Sequence, residues 1–225
     1  MCLRELQERG WTPEYFVREA MTLDRQTLPR LVRRNEGEFH QWVEVASEIP
    51  DTTYILLEND ERLVGYWAFV PLFKQEYLAL KKGKMSIDQI MADKMPVLHF
   101  PGTFYAYFVI ITILPKYRYA KAIRMLFESL FDALENLAKS GVFFKEICAD
   151  AYTVLGKTLC VHLGLKKVKS HPVRGQIYSR TLFPFPTSSL LQQRRKLRRL
   201  YATHFAHFRD HKELEQRRVP HGRSS

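Results

Sequence analysis

Four basic side chains, Lys116, Arg118, Lys121 and Arg124, crowd the start of a predicted helix. The helix macrodipole disfavours cations at that end. Their presence points to an anion, because unpaired N–H groups and a partial positive charge at a helix N-terminus favour a pyrophosphate. A solvated basic helix start is the plainer alternative. Just upstream, Tyr105 and Tyr107 share one face of a predicted strand. They are placed either to hydrogen-bond water in a cleft or to pack in an aromatic core. Asp150 ends another strand, where it can act as a base or cap the helix that follows. Glu58, beside a hairpin, is a further candidate carboxylate. Cys2, Cys148 and Cys160 have no metal-binding spacing, and His99 and His162 sit in no motif, so no metal is expected.

Composition bounds the reading. The chain has 225 residues, 46% of them hydrophobic and 13% aromatic, which is ample for a core and excludes wholesale disorder. The first residues, MCLRELQERGW, mix charges and do not read as a signal peptide. The longest apolar run, Phe104 to Leu114, is too short for a membrane helix, which needs about 20 residues. A cytoplasmic protein without a membrane span is expected, and an odd cysteine count suits a reducing compartment. The net charge is +11, but ten Lys/Arg against three Asp/Glu between Leu190 and Ser225 supply most of it. The basic character belongs to the tail, so the whole chain is not a nucleic-acid binder by charge alone.

The elements that must position these residues follow from periodicity. Tyr15–Met21 reads as a short strand, Arg25–Asn35 as a helix capped by Asp24, and Glu38–Ser47 as a second helix ended by Pro50. Thr53–Glu58 and Arg62–Val70 flank a hairpin turn at Asn59-Asp60-Glu61. Residues 74–100 read as an insertion, with helices near Glu76–Lys82 and Ile87–Met91. Thr103–Leu114, rich in β-branched and aromatic residues, reads as a central strand buried on both faces. In the helix after it, Ile123, Leu126, Phe127, Leu130, Leu134 and Leu137 recur at steps of three and four. A strand at Val142–Ala149, a helix at Thr153–Leu163 and strands at Lys166–Ser170 and Gln176–Leu182 complete the domain. The result is an α/β (α+β) fold, a mixed sheet with helices on both faces, over residues 1–183. Pro184, Pro186 and Thr187 break it from a basic helical extension over 184–225.

This order of elements resembles that of the GNAT superfamily of N-acetyltransferases. Ile111-Thr112-Ile113-Leu114-Pro115-Lys116-Tyr117-Arg118 is similar to that family's fourth strand and the P-x-Y-R turn opening its cofactor helix. Leu126 stands where that helix usually has a leucine, and His162-Leu163-Gly164-Leu165 resembles the end of the fourth helix. Val64-Gly65-Tyr66-Trp67 is similar to the third strand. The resemblance spans about residues 13–182.

It implies acetyl-CoA as cosubstrate, an unidentified amine of a small molecule or protein as acceptor, and a possible homodimer. Cofactor contacts map to Ile111, Thr112 and Ile113 and to Arg118, Tyr119, Ala120, Lys121, Ala122 and Ile123. The family pattern Arg/Gln-x-x-Gly-x-Gly/Ala is met at Arg118, but Lys121 and Ile123 replace its glycines. Its usual acid, a tyrosine four residues before the helix-closing glycine, is here Cys160, for which a buried structural role suits a small hydrophobe better. Tyr152 is the nearest substitute, and Tyr105 and Tyr107 are candidates for the base. The altered positions leave a second reading open. The scaffold is then a non-catalytic binding module whose residues 190–225, basic and interleaved with aromatics, hold nucleic acid or a protein partner.

Overall fold

The computed structural model describes residues 1–28, 37–96, 98–171, 175–183 and 194–217, the last stretch with side chains to Ala206. Three helices come first: α1 (Leu3–Glu8), α2 (Pro13–Thr27) and α3 (Phe39–Glu48). The strand expected over Tyr15–Met21 is therefore corrected to helix. Thr12 caps α2 by accepting a hydrogen bond from the Tyr15 N–H, and Pro13 occupies its first turn. Phe16, Val17, Ala20 and Leu23, all buried, then repeat with helical spacing. Asp24 lies inside α2 and does not cap a following helix. The expected helix over Arg25–Asn35 begins within α2, and residues 29–36 lie outside the described residues.

Six strands make one sheet: β1 (Thr53–Glu58), β2 (Arg62–Leu72), β3 (Gly102–Ile113), β4 (Val142–Ala151), β5 (Lys166–His171) and β6 (Gly175–Thr181). Their spatial order is β1-β2-β3-β4-β6-β5. Only β3 and β4 run parallel; every other neighbouring pair is antiparallel. The β1–β2 turn places Asn59 at φ 51° and Asp60 at φ 62°, and these two residue types tolerate that left-handed region. The insertion after β2 supplies α4 (Lys74–Lys81) and two short helical turns at Ile87–Gln89 and Ala92–Lys94. The parallel crossover from β3 to β4 is the long helix α5 (Ala120–Lys139), and α6 (Val154–His162) links β4 to β5.

Helices cover both faces. On one face α5 and α6 bury Leu126, Leu130, Leu134 and Leu163 against Trp67, Phe69, Phe108 and Phe144. Trp67 is fully buried, and its indole N–H donates to Ser129 Oγ of α5 at 2.9 Å. On the other face α1, α2 and α3 pack on Ile55, Val64 and Tyr66, and the insertion packs Tyr77, Leu80, Ile87 and Ile90 on Val70, Leu72 and Tyr107.

A seventh helix, α7 (Arg195–Arg217), lies on the α5 face. Leu197 and Tyr201 are buried in the core shared with α5 and β4, and His204 stacks on Phe143 with centroids 3.7 Å apart. Arg194 and Lys196 pair with Asp132 and Glu135 of α5. The break at Pro184, Pro186 and Thr187 lies outside the described residues. Among the described residues no helix is long and apolar enough to cross a membrane.

Candidate active site

The sheet opens at its centre. β3 and β4 pair from Gly102↔Val142 to Phe108↔Ala149 and no further, although β3 runs on to Ile113 and β4 to Ala151. The cause is local. Against β2, Ala68 pairs with Ile110 and Phe69 with Phe108, so Val109 is an extra residue in β3. Such a bulge bends a strand and sharpens its twist. It also shifts the face parity: Val109 and Ile110 pack on the same face, the one covered by α2, α3 and the insertion. β3 then stays paired with β2, and β4 stays paired with β6, while the two strands part from each other.

The parting leaves backbone groups facing the gap. The Leu114 N–H donates to the Val64 carbonyl at 2.8 Å, which turns Leu114 towards β2. By the two-residue period Thr112 also faces β2, and Ile111 and Ile113 present their N–H and C=O groups to the gap. The Ile113 carbonyl accepts from Arg118 Nε at 2.9 Å. That bond folds the Pro115–Tyr117 turn back under the gap and aims the start of α5 at it. Tyr119 is the N-cap, yet no side chain caps α5. The first helical bond at that end is Ile123 N–H to the Tyr119 carbonyl, so the N–H groups of Ala120, Lys121 and Ala122 point outward without a helical acceptor. Ala122 is buried, Ile123 packs on the core, and Lys121 and Arg124 stand in solvent.

A cleft of about 190 Å³ passes through the gap from one face of the sheet to the other. On the α6 side it reaches Leu159, Cys160 and Leu163; on the opposite side it reaches Phe16, Asp24 and Trp42. Among the sequence candidates, Tyr107, Ile111, Tyr152 and Cys160 line it. Tyr107 is buried in its wall, and Tyr152 stands partly exposed where β4 gives way to α6. Tyr105 shares the face of Tyr107 but stacks on Tyr77, centroids 4.6 Å apart, outside the lining. Thr112 turns its hydroxyl to Thr27 of α2, at 2.7 Å. Burial pushes the Cys160 thiol up to about 12, with the nearby Asp150 carboxylate adding to the rise. A thiol so reluctant to ionise is a poor proton donor to a thiolate of ordinary basicity. Asp150 lines the cleft at the point of parting, whereas Glu58 closes the β1–β2 hairpin beside Arg62, 3.9 Å away, outside the lining.

Asp24 is the residue that sequence reasoning missed. It is 8% exposed, lines the cleft, and accepts a hydrogen bond from the Tyr66 hydroxyl on Oδ2 at 2.6 Å. The usable signal was Pro13 after Thr12, which sets a helix whose apolar face includes position 24.

No protein-family model matches the chain, and no curated protein does. Solved structures do. The loading GNATL domain of CurA from Lyngbya majuscula superposes with a TM-score of 0.50 at 14% identity, over 77% of this chain and 96% of that one. The NatB acetyltransferase complex bound to CoA and MES is similar at a TM-score of 0.45 and 16% identity, over 76% of this chain and 95% of that one. Arabidopsis thaliana NAA60 in complex with a bisubstrate analogue gives 0.47 and 9%, over 73% and 91%. The chain therefore has the fold of the GNAT superfamily.

Proposed function

We propose that the protein is an N-acyltransferase that takes its acyl group from acetyl-CoA and delivers it to an amine. The observation that carries this reading is the parting of β3 from β4 after Phe108↔Ala149, which leaves the Ile111 N–H facing a cleft that is open from both sides of the sheet. One side serves the acyl donor and the other the acceptor.

The donor set suits CoA. The N–H groups of Ala120, Lys121 and Ala122 and the charges of Lys116, Lys121 and Arg124 match a pyrophosphate. With lysine in place of the first glycine, that contact gains an ammonium point charge and the backbone approach is held to its outer edge. CoA supplies an acyl group activated as a thioester. The chain's own part is electrostatic and positional. The Ile111 N–H donates to a carbonyl oxygen in the gap, stabilising the negative charge that develops there. Asp150, on the acceptor face, receives the proton that an ammonium must lose, and the Tyr107 hydroxyl in the same wall hydrogen-bonds the water that relays it. In the balanced transfer the thioester C–S bond breaks and a C–N bond forms. The nitrogen gives up a proton, and the sulfur leaves as a thiol after gaining one; Tyr152 in the cleft lining supplies it.

Isothermal titration calorimetry with CoA and acetyl-CoA tests this directly. Micromolar binding of both, with thiol release on adding an amine, is the expected result. Absence of binding at millimolar ligand would sink the proposal.

A further inference from the structure

We propose that the chain carries a basic band, running from the β5 edge across Arg180 to the outer flank of α7, that grips the phosphate backbone of a double-stranded nucleic acid. None of its residues lines the cleft, so the band is independent of acyl transfer.

The first observation is where the charge sits. From Ala151 to Arg209 the sequence has twelve Lys or Arg and no Asp or Glu. Setting those twelve aside leaves 23 of the 35 basic residues against all 24 acidic ones, so this stretch accounts for the whole net charge of +11. It supplies α6, the β5–β6 hairpin and the first turns of α7. Within it Lys166, Lys167, Arg195, Arg198 and Arg199 are exposed and make no ion pair with a described residue, and Arg180, half-buried, makes none either. Residues 172–174 and 184–193, which adjoin them in the chain, contain no Asp or Glu. The α5 acids that meet α7, Asp132 and Glu135, are taken by Arg194 and by Lys139 and Lys196.

The second is placement. Lys167 pairs with Tyr178, which packs on the face covered by α5 and α6. Arg180, two residues on, takes the same face and is a diagonal neighbour of Lys167, roughly 7–8 Å away. Leu182, next on that face, is buried with Leu197 and Tyr201, so α7 sits directly beyond Arg180. Two contacts fix which flank of α7 turns towards it. His204 meets Thr103 of β3 at 2.8 Å, while Phe205 stacks on Phe183 just past β6, centroids 4.8 Å apart. The Phe205 flank is thus the β6 flank. Arg198 lies two helical turns before Phe205 and shares that flank; Arg195 and Arg199 adjoin it at helical spacing. Lysines on an edge strand also hinder edge-to-edge pairing, but that role does not account for Arg180 or the arginines of α7.

The third is the chemistry of the band. Most of its cations are arginines, whose planar forks match phosphate oxygens bidentately. The aromatics interleaved with them in sequence point inward: Tyr201 is buried, and His204 and Phe205 pack on Phe143. Single-strand binders stack bases on exposed aromatic rings, and none of the band's exposed positions is aromatic. Ala202 and Thr203, the exposed α7 positions that follow the arginines, are too small to insert into a bilayer. Charge without stacking or insertion suits a duplex held by its phosphates, whatever its sequence.

The test is fluorescence anisotropy of the full chain with a fluorescein-labelled duplex of about 20 base pairs, made as RNA and as DNA, at neutral pH over a range of salt. Five or six phosphate contacts predict a slope of about −5 in log affinity against log salt, a loss of roughly thirtyfold for each doubling of salt. The pair Lys166→Gln and Lys167→Gln, and separately the pair Arg198→Gln and Arg199→Gln, should each flatten the slope by about 2 and weaken binding at least about tenfold at low salt. All four positions are exposed, so both double variants should keep the wild-type circular dichroism spectrum. Saturating CoA should leave duplex affinity within about twofold. Binding of either duplex with that salt slope supports the proposal, and the ratio of the two names the source of the phosphates. No binding of either duplex at about 100 μM protein in about 50 mM salt overturns it. So does a loss confined to the α7 pair, which would reduce the site to a basic tail, and so does displacement of the duplex by CoA, which would move the contact to the start of α5. Tighter binding of the unpaired strand, of poly-L-glutamate or of phosphatidylserine vesicles, at equal charge, names a different partner and overturns it as well.

Discussion

Replacing Ile111 by proline separates the backbone's catalytic part from its structural one. Proline removes a single N–H and fixes φ near −65°. In the middle of a sheet that normally breaks a ladder bond, but the Ile111 N–H faces the gap and the ladder to β2 runs through Thr112 and Leu114. The stability cost is therefore the trimmed side chain, since Ile111 packs partly buried against the α5 face, plus modest backbone strain. Together these come to about 1–3 kcal/mol. For a chain of this size that lowers the melting temperature by roughly 2–4 °C per kcal/mol. Loss of an oxyanion donor costs about 10²–10³ in turnover. The Ile111→Pro protein should thus remain folded by circular dichroism, bind CoA within about threefold of wild type, and lose at least about a hundredfold in steady-state acetyl transfer. Thr112→Pro is the control: it cuts the ladder and should fail to fold. An Ile111→Pro enzyme within threefold of wild-type turnover would refute the assignment of that N–H.

Other outcomes follow from the same geometry. Lys121→Glu reverses a charge at an uncapped helix start and should weaken CoA binding roughly threefold to tenfold, with the difference shrinking at high salt; calorimetry at two salt concentrations reads it. Burial raises the Cys160 thiol in the folded chain to about 12 from an ordinary value near 9. The folded state then holds a proton that the unfolded state releases, so this group's stabilising contribution is present below pH 9 and is lost as pH rises towards 12. Denaturation midpoints measured from pH 8 upward should fall. Because Cys148 is also buried, Ellman's reagent should find at most Cys2 in the native protein at pH 8, and all three thiols after denaturation. Tyr201→Phe removes the hydroxyl that accepts the buried Phe144 N–H at 3.0 Å and should cost about 1–3 kcal/mol in urea melts.

The strands of the sheet and the crossover helix were legible from local pattern, the strands from β-branched and aromatic runs and the helix from its period. Thr53–Glu58 matched its strand, and the apolar steps from Ile123 to Leu137 matched α5. Tyr15–Met21 misled because an aromatic beside a β-branched residue mimics a strand, while the true signal lay in the Thr12-Pro13 cap before it. That misreading also hid Asp24, taken as a cap when its helical position turns it inward beside Tyr66. The bulge at Val109 left no trace in the sequence, since Val109, Ile110 and Ile111 are all strand-forming and any of them could be the extra residue. The parting of the sheet depends on pairing with β2, a long-range relation that local pattern does not encode.

The seat of α7 has a bearing on how the basic extension is studied. β4 pairs with β6 from Glu146 onward and the Leu182 N–H takes the Lys145 carbonyl at 2.9 Å, so among the described residues no strand pairs with Val142 to Phe144 on that side. Tyr201 fills the vacancy: its hydroxyl takes the Phe144 N–H, and its ring meets Phe143 edge-on with centroids 5.2 Å apart. The helix thus works as a surrogate edge, sealing a strand end that would otherwise offer unpaired backbone and bare phenylalanines to another chain. Removing residues 194–217 to ask what the positive charge binds would at the same time create a sticky edge. Aggregation or lost activity in such a truncation would report on that exposed edge. Charge-neutralising substitutions at Arg198 and Arg199, which are solvent-exposed, leave the seal in place and ask the question cleanly.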